Sequence, residues 1–99
     1  NPDRYFTYSV DGLQTLTSED WEAFHRGYYN QLASENPNYV MPLSFMRKFE
    51  AAGSVGRLHS QIFTMPGVAT PVEKARRLGL QIAQELSEAG VNGCILVAT

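Results

Sequence analysis

The sequence predicts an α/β fold in which two N-terminal helices precede a right-handed βαβ unit of a parallel, Rossmann-like sheet. Three observations predict it. Thr70-Pro71-Val72-Glu73 offers a capping hydroxyl, a proline at the first helical position and a glutamate three residues after the cap. Together they open a long helix that Gly90 closes. Cys94 to Ala98 is a continuous, β-branched apolar run, the pattern of a strand buried on both faces in a parallel sheet. Arg57 to Met65 supplies an earlier strand, so the helix links two strands, and such crossovers are right-handed. Two strands leave edges and faces that a parallel sheet normally covers. The sheet is therefore expected to be incomplete in this chain, with a continuation of the chain or a second subunit supplying further strands in an oligomer.

The elements follow in order. Residues 1–16 form an extended arm holding Tyr5, Phe6, Tyr8 and Val10, with Asp11-Gly12 as a turn. Residues 17–53 form a helical pair. Thr17-Ser18-Glu19-Asp20 starts a helix over Ser18 to Ala33 with Trp21, Phe24, Tyr28 and Leu32 along one face. Asn36-Pro37-Asn38 breaks it, and Pro42 opens a second helix with Phe45, Met46 and Phe49 inward, closed by Gly53. Residues 57–99 are the βαβ unit, whose helix turns Val72, Ala75, Leu78, Ile82, Leu86 and Ala89 to one face.

Ninety-nine residues with 43% hydrophobic, 11% aromatic and 18% charged side chains make one small α/β domain, or the N-terminal part of one, and exclude a disordered chain. No apolar run approaches the roughly 20 residues of a membrane span. A formal net charge of −2, with Lys and Arg scattered, is not the electrostatic footprint of a nucleic-acid binder. A single cysteine allows no internal disulfide and no secretory segment opens the chain, so a cytoplasmic location is expected.

In open α/β sheets, function gathers at the carboxyl ends of strands. Here that points to the loop Thr64 to Thr70 and to whatever follows Thr99. Thr64, Gly67, Val68 and Thr70, backed by Lys74 and Arg77, are the candidate substrate- or anion-binding residues, because free N–H groups at a helix N-terminus favour an anion. An anion there would also explain why Lys74, Arg76 and Arg77 lie near the helix start and Glu85 and Glu88 near its end, against the macrodipole. His59 is a candidate for proton transfer. With no second ligand at suitable spacing it does not mark a metal site, and none is expected. Cys94, within an apolar strand, reads as a small buried hydrophobe, and His25 as structural. Trp21, Phe24 and Tyr28 suit a pocket for a methylated amine, although helical spacing reads better as core.

Asn36-Pro37-Asn38-Tyr39, Pro42-Leu43, Gly56-Arg57-Leu58-His59 and Val91-Asn92-Gly93-Cys94-Ile95-Leu96 together resemble the selenoprotein B family of glycine, sarcosine, betaine and D-proline reductases, shorter relatives included. The likeness extends over about Tyr29 to Thr99 and rests on several short matches. His59 falls in a Leu-His pair shared with that family. The resemblance implies an oxidoreductase, working with partner subunits on a small-molecule substrate, whose selenocysteine or cysteine nucleophile follows directly after the strand ending at Thr99. Such a residue at a strand end before a helix N-terminus would be held in its anionic, reactive form. The 99 residues alone lack it and are expected to be inactive. No cofactor is identified within the chain; selenocysteine, or a pyruvoyl group, is expected only beyond Thr99. Two other readings stand beside this one. The chain is a non-catalytic scaffold or binding subunit completing a partner's α/β sheet, or it is a chain released by autocatalytic cleavage of a pyruvoyl-type proprotein.

Overall fold

The computed structural model describes residues 4–21, 30–65 and 70–97. The chain folds as two compact units, one of Asn1–Val10 with Gln61–Leu96 and one of Asp11–Ser60 with Val97–Thr99.

In the first unit, strand β1 (Phe6–Ser9) pairs antiparallel with β2 (Gln61–Thr64) in the register Phe6 with Thr64, Thr7 with Phe63, Tyr8 with Ile62 and Ser9 with Gln61. The N-terminal arm thus supplies the partner strand. Tyr5, just before β1, brings its ring centroid to 5.8 Å from that of Phe63, and Arg4 lies over the Phe6 ring at 5.1 Å. Among the described residues Val10 and Leu78 are the buried apolar ones of this unit.

The parallel βαβ unit is not what the chain builds. Its strands are antiparallel, and Val91 to Val97 is irregular backbone, with Ile95 60% and Leu96 89% exposed. A strand requires a neighbour to accept and donate along its ladder, and apolarity alone does not supply one. Among the described residues β2 pairs with β1, and no strand runs beside Val91 to Val97. The Rossmann-like reading falls with the second strand. Arg57 to Ser60 lies outside the ladder, which shortens the expected strand to four residues.

The long helix is present as α1 (Val72–Glu88). It begins one residue later than expected, with Pro71 rather than Thr70 at the cap position, extended at φ −59° and ψ 145°, and with the Pro71 carbonyl accepting from the Ala75 N–H at 3.0 Å. Leu78 sits at the centre of the predicted stripe and is buried, Ala75, Ile82 and Leu86 are half-buried, and Val72 and Ala89 at the two ends are exposed. Gly90 ends the helix at φ 78°. Its N–H donates to Ser87 O at 3.1 Å and the Val91 N–H to Leu86 O at 3.0 Å, the paired bonds of a Schellman motif.

In the second unit, the Asp20 and Trp21 N–H groups donate to Thr17 O and the Thr17 hydroxyl meets Asp20, so the expected start at Thr17 forms a turn. A short helix α2 (Asn30–Glu35) follows in the chain, with Ala33 buried. Residues 22–29, carrying Phe24, His25 and Tyr28, lie outside the described residues. A 3-10 turn (Pro37–Tyr39) leads to α3 (Leu43–Ala51), which ends in a second Schellman motif at Gly53, φ 84°, with Gly53 N–H to Glu50 O and Ser54 N–H to Phe49 O.

The inward face of α3 differs from the expected one. Leu43 is buried, whereas Phe45 and Phe49 are 53% and 50% exposed. Polar anchoring sets the rotation. Arg47 Nε donates to Leu13 O at 2.7 Å, its guanidinium pairs with Glu50 at 3.0 Å, and the other Glu50 oxygen accepts the Leu58 N–H at 2.7 Å. These two hydrogen bonds to the Glu50 carboxylate hold its pKa below the ordinary value, the Leu58 N–H being the larger influence.

Among the described residues Asn38 is the buried polar one of this unit. Its Oδ1 accepts from the Leu16 and Ser44 N–H groups, each at 3.2 Å. Its Nδ2 faces Leu16 O at 2.9 Å, Thr15 Oγ1 at 3.0 Å and Asn36 Oδ1 at 2.8 Å, so two hydrogens are shared among three acceptors. Leu16 beside it is also buried. One amide side chain thereby fastens the segment before Thr17 to the start of α3.

Candidate functional site: an apolar groove and the start of the long helix

Two places in the first unit carry candidate residues. The first is the start of α1. Thr64 closes β2 opposite Phe6, Thr70 is half-buried just ahead of the helix, and Lys74 and Arg77 follow one turn apart on it, Lys74 half-buried and Arg77 exposed. Gly67 and Val68 lie outside the described residues, so the cradle expected between Thr64 and Thr70 is not on view. His59 belongs to the other unit, half-buried in the stretch before β2.

The charge order along α1, which suggested a bound anion, has local partners. Arg76 pairs with Glu73 at 3.5 Å, both well exposed. Near the far end, the Tyr5 hydroxyl donates to Glu85 at 2.6 Å and Gln84 donates to Glu88 at 3.3 Å. Donation to Glu85 stabilises the protonated phenol and raises the Tyr5 pKa, with burial and the negative carboxylate acting in the same direction. These contacts account for three of the charges, Arg76, Glu85 and Glu88, without an anion.

The second place is a groove of about 480 Å³ along the C-terminal half of α1, lined by Met65, Ile82, Leu86, Val91, Cys94 and Leu96 among others. The Schellman turn at Gly90 makes it, by folding Val91 back beside Leu86. Its polar lining is Ser87 and Asn92, and it is open along its length. The sequence marked Ile82 and Leu86 as core; the groove was hidden because Cys94 to Val97 read as a buried strand.

Cys94 corrects that expectation most directly. It is exposed at the groove, with Sγ 3.8 Å from the Ile95 carbonyl, rather than packed as a buried hydrophobe. The expected cleft, shared by the Thr64 to Thr70 loop and a residue delivered beyond a strand ending at Thr99, loses its geometric basis with that strand. Among the described residues no cluster of three or more His, Cys, Asp or Glu side chains is arranged to hold a metal ion. Nor is any described helix long and apolar enough to cross a membrane. What these residues offer chemically is one accessible thiol, two cations near a helix start and an apolar trough.

The class of protein comes from comparison with known sequences. The whole chain, residues 1–99, matches the family model described as glycine/sarcosine/betaine reductase selenoprotein B, and the chain belongs to that family. More particularly, it is 36% identical over 107 aligned positions to the glycine reductase complex component B subunit gamma of Peptoclostridium litorale, covering 100% of this chain and 24% of that protein. It is 32% and 30% identical to the component B subunit beta of the sarcosine and betaine reductase complexes of Peptoclostridium acidaminophilum, each covering 97% of this chain and 22% of the relative. The chain thus spans about a quarter of the length of these curated relatives. No solved structure matches it significantly.

Proposed function

We propose that this chain contributes to a component B subunit of a multi-subunit reductase that cleaves the carbon–nitrogen bond of glycine, sarcosine or betaine. The observation that carries the reading is the family match along all 99 residues, with relatives named for these three reductases. A selenocysteine or cysteine beyond Thr99 acts as nucleophile. Its selenolate or thiolate attacks the substrate carbon and the amine departs with the bonding electron pair and a proton, leaving a carboxymethyl selenoether or thioether. One thiol of a dithiol reductant then attacks the selenium or sulfur, the carboxymethyl group leaves with the bonding pair and is protonated to acetate, and the second thiol displaces the nucleophile as the dithiol closes to a disulfide. This part of the reading rests on the family and not on the strand geometry, which the structure lacks.

Within the same reading, Thr64, Gly67, Val68 and Thr70 with Lys74 and Arg77 meet the substrate's carboxylate, and His59 moves a proton. Support comes from Lys74 and Arg77, which lie with Arg76 in the first two turns of α1, and from the positive end of the helix dipole. Partner subunits and further polypeptide complete the assembly, which is supported by relatives named as components of reductase complexes, of which this chain spans about a quarter.

The test is a reconstituted complex containing the full-length subunit, given each substrate in turn with a dithiol. Ammonia from glycine, methylamine from sarcosine or trimethylamine from betaine is expected, with one substrate preferred. Lys74→Ala and Arg77→Ala are expected to raise KM more than they lower kcat. Release of no amine from any of the three by a complete, assembled complex overturns the reductase reading. Unchanged KM in both variants removes the carboxylate contacts alone.

A further inference from the structure

We draw no further inference here: the strongest candidate, the apolar groove between the C-terminal half of α1 and the segment Val91 to Leu96, with exposed Cys94 on its wall, faces outward with nothing in the structure to show what covers it.

Discussion

Replacing Asn38 with alanine removes the amide that fastens Leu16 to the start of α3. Two of its bonds are fully buried, Leu16 N–H to Oδ1 and Nδ2 to Leu16 O, so both backbone groups of one buried residue lose their partner. Each buried group left unsatisfied costs about 1–3 kcal/mol. The bonds to Ser44, Thr15 and Asn36 are only part-buried, and water replaces much of what they provide. The sum is a loss of about 2–6 kcal/mol, a large share of the roughly 5–15 kcal/mol by which domains are held folded. Even the smallest loss in that range, about 2 kcal/mol, lowers the midpoint by about 2 M at an m-value of about 1 kcal/mol/M in urea. Trp21, the single tryptophan and part of the same unit, reports the transition by fluorescence. Asn38→Asp separates hydrogen bonding from shape. It preserves volume and acceptors but sets a carboxylate oxygen against Leu16 O and Asn36 Oδ1. It should be at least as damaging as alanine at neutral pH and recover part of the loss in acid, where the carboxyl again has a proton to donate. A midpoint within about 0.3 M of the parent for Asn38→Ala would refute the assignment of Asn38 as the fastening residue, as would an Asn38→Asp variant equal to the parent at about pH 7.

Three further outcomes are expected. Gly90→Ala places a side chain at φ 78°, where nothing lies within 4 Å of the new Cβ, so its cost of about 1–2 kcal/mol comes from backbone strain alone; Gly79→Ala, also in open space within α1, gains up to about 1 kcal/mol. Equal effects of the two on the thermal midpoint would contradict this. Glu50 has a lowered pKa, so its contribution to stability is complete above the ordinary carboxylate value and is lost as pH falls through the folded value. Tyr5 has a raised one, so its contribution is complete below the ordinary tyrosine value and is lost as pH climbs through the folded value. Glu50→Gln should therefore flatten the acid limb of the stability profile and Tyr5→Phe the alkaline limb, and exchanged effects would show the network misassigned. Finally, Cys94 should react with iodoacetamide in the native protein nearly as fast as in urea, and strong native protection would place it back in a packed environment.

Local signals in the sequence were legible and non-local ones were not. Gly53 and Gly90 stop helices because glycine takes positive φ without steric cost, a property of one residue and its neighbours. The apolar spacing around Leu78 is similarly local. The pairing of β1 with β2 is set by partners far apart in the chain, Phe6 with Thr64 at one end and Ser9 with Gln61 at the other, and the aromatic arm lacks the clean alternation that would have announced it. Cys94 to Val97 misled for the same reason: hydrophobicity states a need for burial and leaves open whether a neighbouring strand is at hand. On α3, Phe45 and Phe49 outweighed Arg47 and Glu50 in the pattern, whereas in the fold the polar pair fixes which side faces in. At the candidate site the resemblance to the reductase family was readable from short motifs and the whole-chain match bears it out, while the proximity of Tyr5 to Glu85 was not readable from either segment.

The antiparallel sheet has a consequence for how this chain is made. Phe6 must wait for Thr64, and at about 5–20 residues per second a ribosome takes several seconds to deliver it. Throughout that interval the aromatic segment of β1 awaits a strand that has not yet been made, while the contiguous stretch 11–60 already carries its own unit except for Val97–Thr99. Closing so long a loop adds an entropic toll that grows with the logarithm of its length. Formation of the sheet is thus expected to be the late and aggregation-exposed event. Deleting the segment up to Ser9 would remove half of that sheet and leave β2, among the described residues, with two open edges.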